Sequence, residues 1–526
     1  MPSRHLAATV LWTLCLTGGA PDAPRGAQAA DMPFRIAEDR VRDRIDRIVI
    51  DEGVPSISVA AVKGDAPIWV HATGLADKET GRAATPATPY RLASVSKPIT
   101  AVAAMLLADR GVIDIDAPAN AYLGARKIVA HAGRADDVTV RRLMSHRGGL
   151  PLHYNLIHAG EAHTRRSLDE TIARYGKAML PPGATHRYSN VGYAVLERII
   201  EIQSGQSYDA FLRTAFFTPL GMTSAGVVTA PVHPKGAAIP YTRAGERYPA
   251  YDMDTRGAGG VFMTARDLVA FGRFFNDALD GKSDLLSQSA ARTMMEMQSP
   301  TEPDDLEWYT LGWVHELRGE NREHDTIYHL GSTPGVRAEL WLYPDADLVV
   351  ATLVNEMSWR PLKRAREAVV AAILPEIAFI PYPGIHIAGD MRARWTGTAD
   401  LGEDGRLPVT VEFQNPARPR VTVGGTAAAV TAVRTIADGF ISITATGVPL
   451  PVADVKRQNY ELGFIVRPDG DSLTGYVAAN RIAARLRDSG NFSFPVRLER
   501  AVEQEKAQRQ ERTLGHAGAP GGRTAP

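Results

Sequence analysis

Residues Tyr90 to Gly111, YRLASVSKPITAVAAMLLADRG, place a serine and a lysine where they could act together. Ser94 stands where a helical spacing of apolar residues begins (Val95, Ile99, Val102, Leu106). It is therefore expected as the helix N-cap, with Gly111 as the stop. Pro98 falls in the first turn, where a missing N–H costs least. Lys97 comes three residues after Ser94, so both side chains share one face. The helix start adds free N–H groups and a positive partial charge beside the serine oxygen. A serine with an amine next to it in this setting suits acyl transfer. The ordinary alternative is a helix cap followed by a solvated lysine. Against it, only Lys97 among the lysines has a serine three positions before it, and its helix is too apolar for the surface. Its amine is expected to be enclosed. Enclosure matters, because a lysine with its ordinary pKa of about 10.4 serves as a base only when desolvated or set near a cation.

Two further stretches carry suitable groups. Tyr188-Ser189-Asn190 follows Pro181-Pro182-Gly183 in a loop that leads into a helix, Val191 to Gly205. A tyrosine held near Lys97 could pass a proton, and an asparagine amide could orient a substrate carbonyl. Alone, the stretch also reads as a plain loop-to-helix cap. Residues 328–335, YHLGSTPG, precede two strands, and Gly331 and Gly335 would let backbone approach a ligand closely. Alone, this is a strand end with a turn, and His329 a satisfied histidine. Other chemistries fail on the residues. His315-Glu316 opens a zinc-protease-like pattern, but position 319 is glycine. There is no Gly-x-Ser-x-Gly elbow and no phosphate-cradling glycine loop with a following lysine. No metal or nucleotide cofactor is implied.

These groups need a scaffold. Residues 33–52 carry helical spacing, and Ile57 to Val62 and Ile68 to Ala72 read as strands. From Asp114 to about Pro182 the pattern is helix and loop. Residues 260–280 read as an amphipathic helix capped by Thr264. Strands return at Thr326 to His329, Ala338 to Tyr343 and Leu348 to Val354, and Ala365 to Leu374 closes with a helix. This is an α/β layout with a largely helical insertion. Pro375, Pro381 and Pro383 mark a linker, 376–387. From 388 to 501 only strand patterns occur (LPVTVEF, RVTVGG, FISITAT, ELGFIV, SLTGYVA, FSFPVRLE), as in a small antiparallel barrel or sandwich. Residues 502–526 are polar, rich in glycine and proline, and expected to be disordered.

The chain has 526 residues, with 44% hydrophobic and 22% charged residues, ordinary for a soluble globular protein. Lys+Arg and Asp+Glu are both 59, so no basic excess suggests nucleic acid. Residues 1–30 read as a secretory signal: Arg4 and His5, an apolar run from Leu6 to Leu16, and Ala27-Gln28-Ala29 before a cleavage near Ala29 or Ala30. The run is too short for a permanent transmembrane helix, and no later stretch is long enough. The expected location is periplasmic or secreted. The single cysteine, Cys15, lies in this segment, so the mature chain would have neither disulfides nor thiol chemistry.

Ser-x-x-Lys, Tyr-x-Asn and His-x-Gly, in this order, resemble the penicillin-recognising serine hydrolases. These include class C β-lactamases, DD-carboxypeptidases, D-aminopeptidases and β-lactamase-like esterases. Supporting segments are RLASVSKPITA, VTVRRLMSHRGGL, LPPGATHRYSNVGYAVLERIIE, PLGM, GAGGVFMTARDLVAF, HLGSTPG and LVVATLVN. The resemblance spans 35–374. It implies an antiparallel sheet flanked by helices with a mostly helical subdomain over 31–375, followed by the all-β barrel-like domain at 388–501. It implies Ser94 as nucleophile, Lys97 and Tyr188 as the base system, and Asn190, His329, Gly331 and Ser332 as substrate-binding. The backbone N–H groups of Ser94 and Ser332 would form the oxyanion hole. The implied partner is a small-molecule or peptide substrate, of which cell-wall fragments are one source.

The chain departs from the β-lactamase pattern at the third motif. His329-Leu330-Gly331 replaces Lys-Thr/Ser-Gly, removing a permanent cation and a hydroxyl. With an unperturbed pKa of about 6.5, His329 would hold a β-lactam carboxylate only when protonated. Ester, D-amino-acid amide or peptide hydrolysis is the leading expectation. A DD-carboxypeptidase or β-lactamase, and a catalytically idle sensor or scaffold, are the alternatives.

Overall fold

Ser56–Lys63 is buried along seven of its eight residues, a pattern only a sheet centre covered on both faces can satisfy. The computed structural model describes residues 32–161, 165–301, 307–317, 324–375, 393–413, 419–436, 440–448, 451, 460–469, 472–481 and 490–501. The expected signal segment, linker and C-terminal tail lie outside these residues.

The main strands are β1 (Ser56–Lys63), β2 (Trp69–Asp77), β3 (Thr326–Thr333), β4 (Val336–Tyr343) and β5 (Leu348–Val354). They stand in the order β3-β4-β5-β1-β2 within a nine-stranded sheet, and each adjacent pair is antiparallel. Strands from the two ends of the segment therefore pair at its centre, with Ile57 opposite Val354. Among the described residues, five helices run 14 residues or more: α1 (Met32–Glu52), α2 (Ser96–Asp109), α3 (Asn190–Ser204), α4 (Ala265–Leu279) and α5 (Arg360–Ile373). Helices α1 and α5 cover one face of the sheet through Val41, Ile45, Ile48, Leu362 and Val369. Each fully buried side chain there contributes roughly 1.5–3 kcal/mol of apolar burial. Helix α4 covers the other face, and α2 and α3 build the larger core beyond it.

The expected elements differ from the observed ones in a few places. The region 260–280 splits into a short strand, Val261–Met263, and α4, with Thr264 capping the helix as expected by accepting from Asp267 N–H. The insertion also holds a short strand, Tyr154–His158, paired with Tyr251–Met253.

Residues 394–500 form eight antiparallel strands, and the first, Arg394–Asp400, pairs with the last, Gly490–Arg500, to close a barrel. Val411, Ile443, Leu462, Phe464, Leu473 and Leu498 fill its interior. Closure removes the free edges a small sheet would otherwise expose. Two of the eight strands, Arg394–Asp400 and Thr426–Ile436, escape the sequence pattern, because WTGTAD and TAAAVTAVRTI lack a clear apolar alternation. The barrel is joined to the rest by backbone. Gly490 and Asn491 pair with Asn155 and Tyr154, and Arg174 bonds Asp404 at 2.8 Å. No described helix is long and apolar enough to cross a membrane.

Candidate active site

Ser94 is not the helix cap expected of it. It sits within a single 3₁₀ turn, Ala93–Val95, that feeds α2, whose N-cap is Val95 with no side-chain bond. The reason is local. Ala93 has φ +48°, which lifts Ser94 out of the helix line, and its hydroxyl is engaged by Lys97 instead. Gly111 does end the helical segment, at φ +70°. The turn packs against β3 and β4, and a Cβ on Gly331 would lie 2.2 Å from the Leu92 carbonyl oxygen. That close approach needs glycine.

Lys97 is fully buried, as the apolar helix implied. Its Nζ lies 3.1 Å from Ser94 Oγ and donates to the Ala258 carbonyl at 2.9 Å. The Tyr188 ring is 4.6 Å from Nζ and the Tyr193 ring 5.5 Å. Burial pushes the amine pKa well below its usual value, and no carboxylate pairs with it among the described residues. Tyr188 is driven the other way: burial raises its phenol, and a hydrogen bond with Ser94 opposes the rise. Tyr188, distant in sequence, thus joins Lys97 at the Ser94 hydroxyl.

Asn190 begins α3, where Ser189 accepts from Gly192 N–H and fixes the helix start. The Asn190 backbone is held by Leu152 O at 2.8 Å, while its amide has no partner among the described residues. His329 lies with its ring 6.5 Å from Tyr188. Its Nδ1 is 2.8 Å from Leu330 O, so this nitrogen carries the proton, and Nε2 accepts from Tyr309 OH at 3.0 Å. Burial, with Lys97 adding to it, pushes His329 down to about 3. The expectation of a histidine titrating near 6.5 is therefore corrected: His329 is a neutral acceptor throughout the working pH range. Leu330 is 37% exposed beside it, and Ser332 is exposed, opposite Arg337 in the β3–β4 register.

Sequence reasoning missed several residues. His146 grips the backbone on both sides of Tyr188, accepting from Ser189 N–H at Nδ1 (3.0 Å) and from Arg187 N–H at its carbonyl (2.7 Å). Its ring stands 4.2 Å from that of Tyr188. Tyr193, Tyr309 and the Ala258 carbonyl complete the surroundings. The segments VTVRRLMSHRGGL and GAGGVFMTARDLVAF carried two of them as resemblance, with no signal for a role.

Residues 41–374 match the Beta-lactamase family. Penicillin-binding protein 4 of Amycolatopsis lactamdurans is 32% identical over 343 residues, covering 62% of this chain and 86% of that protein. Esterase EstB of Burkholderia gladioli is 33% identical over 201 residues, covering 36% of this chain and 50% of the esterase. Among solved structures, SurE with D-Leu aligns with a TM-score of 0.60 at 22% identity, covering 87% of this chain and all (100%) of that one, and so shares the fold. The D-amino acid amidase of Ochrobactrum anthropi SV3 aligns with a TM-score of 0.52 at 23% identity, over 65% of this chain and 98% of the amidase. The chain belongs to the β-lactamase family of serine hydrolases, whose fold its sheet and flanking helices reproduce.

Proposed function

We propose that this protein is an exported serine hydrolase that works through an acyl-enzyme on esters or on D-amino-acid amides and peptides. The observation that carries the reading is the buried, acid-free Lys97 amine 3.1 Å from Ser94 Oγ. In this reading Ser94 Oγ bonds to the substrate carbonyl carbon while its proton passes to Lys97 Nζ. The backbone N–H groups of Ser94 and Ser332 take the developing oxyanion. The proton then reaches the leaving group by way of Lys97 and Tyr188, and the carbonyl–leaving-group bond breaks. Water repeats the sequence on the acyl-enzyme, with the same base accepting its proton, and frees Ser94. Asn190, with its unengaged amide, binds the substrate. The names of an esterase and a D-amino acid amidase among the similar proteins support this substrate range.

A fluorophosphonate is expected to label the protein on Ser94, located by peptide mapping. The amine must be neutral to accept the proton, so kcat/KM is expected to rise with pH as Lys97 deprotonates, with a midpoint well below 10.5. An acid limb at the ordinary lysine value, or label on another residue, would refute the assignment. Export rests on the apolar run Leu6 to Leu16 and on Ala27-Gln28-Ala29. N-terminal sequencing of exported protein is expected to read from Ala30 or Asp31, and a retained Met1 would sink this part.

A further inference from the structure

We infer that Glu197 is a positioning residue that holds the Lys97 amine in place by clamping Gly257, the residue next to its carbonyl partner Ala258. This rests on the reading of Ser94 and Lys97 as nucleophile and base.

The geometry is a chain of short bonds. Lys97 Nζ donates to Ala258 O at 2.9 Å, which anchors one N–H of the amine and holds Nζ 3.1 Å from Ser94 Oγ. The position of Ala258 O depends on the residue before it, and Gly257 is held at both of its backbone polar groups, on two successive peptides. Gly257 N–H donates to Glu197 Oε2 at 2.7 Å, and Gly257 O accepts from Thr100 Oγ1 at 2.6 Å. Thr100 stands three residues after Lys97 on α2, and Glu197 stands in α3, the helix that Tyr188 and Ser189 introduce. The clamp therefore locks the turn between the two helices that supply the reacting groups. Gly257 itself leaves no slack: a Cβ there would lie 2.6 Å from Tyr193 O and 3.0 Å from Glu197 Cβ.

Glu197 is 2% exposed, and an acid so placed would ordinarily need a cation. Its charged neighbours are Glu201, Arg256 and Arg165, with the Tyr208 phenol also facing it. Both arginines are already committed to Asp252, Arg256 at 2.6 Å and Arg165 at 3.6 Å. Burial accordingly pushes the Glu197 carboxyl up to about 8. At neutral pH it is an uncharged acceptor. The groups around Lys97, namely Tyr188, Tyr193, His146 and His329, bring it no anion either.

The test uses the full chain and p-nitrophenyl acetate, with the rate of fluorophosphonate labelling at Ser94 as second readout. Glu197→Leu is expected to lower kcat and labelling by about 10- to 100-fold with KM little changed, the scale of a small misplacement. Glu197→Gln keeps an acceptor for Gly257 N–H and is expected to restore most of that loss at neutral pH. Thr100→Val releases the clamp from the other end and should lower kcat in the same manner. Should Glu197→Leu fail to fold, the kcat and labelling rate of Thr100→Val decide. Absence of labelling at Ser94 in the wild type would overturn the functional reading as a whole. Labelling in the wild type, with Leu or Val variants reacting at the wild-type rate or a Gln variant no faster than Leu, would overturn the role of Glu197 alone.

Discussion

Ser94→Ala is expected to lose on the order of 10⁴-fold or more in kcat/KM on a p-nitrophenyl ester, and Lys97→Met a comparable amount. The two side chains form one unit, with 3.1 Å between Oγ and Nζ. A serine without its base and a base without its serine are equally idle, so the double variant should be no worse than either single one. Stability separates this from misfolding. Lys97 is fully buried with burial working against its charge, so methionine, of similar length, is expected to leave the melting temperature unchanged or raise it. Turnover by Ser94→Ala at the wild-type rate would refute the nucleophile. Loss of activity together with loss of the folded state would point to packing instead.

The second large effect concerns substrate choice. Small esters or D-amino-acid amides are expected to exceed nitrocefin in kcat/KM by about two to four decades. A lysine and a hydroxyl at the third motif would each give a β-lactam carboxylate a charge-assisted bond, roughly 1.5–3 kcal/mol apiece, and 1.4 kcal/mol is about tenfold. This chain has His329, held neutral by burial, and the half-exposed side chain of Leu330. An uncharged acyl ester loses nothing at that place. The structure also changes the pH dependence that an unperturbed histidine would bring. A histidine pushed down to about 3 makes no charge change near neutrality, so the ratio of β-lactam to ester hydrolysis should stay flat from about pH 5 to pH 9 as far as His329 is concerned. Nitrocefin cleaved faster than the ester at neutral pH would show this view of the motif to be wrong, while Ser94 and Lys97 could keep their roles.

What the sequence made legible follows from range. Ser94 and Lys97 are three residues apart on one helix start, so periodicity alone puts them together and predicts an enclosed amine. Strands β1, β2, β4 and β5 are runs of apolar and β-branched residues, readable one at a time. Tyr188 and His329 reached the site only through resemblance to a family, since nothing local says that residues this distant meet. Two of the missed groups share a trait: they act on or through backbone. His146 holds the N–H groups of Arg187 and Ser189 on either side of Tyr188, and Ala258 offers a carbonyl, which every residue type possesses. His329 was misjudged for a different reason. Its pKa depends first on burial and then on Lys97, brought beside it by α2, and burial of that kind leaves no mark at residue 329 itself.

The left-handed backbone of Ala93, φ +48°, has a consequence for how the protein holds its reactive serine. An alanine in that conformation costs roughly 1–2 kcal/mol relative to a relaxed one, and it persists only because Leu92, Ala93 and Val95 are all fully enclosed. The strain is therefore a property of the resting protein, settled when the chain folds. Ser94 arrives at its position before any substrate does, and little backbone rearrangement is left for the reaction to drive. A glycine at residue 93 would relieve the strain yet widen the range of conformations open to the segment, trading a fixed approach angle for local freedom. Reactivity at Ser94 is in this sense stored in the shape of its neighbour.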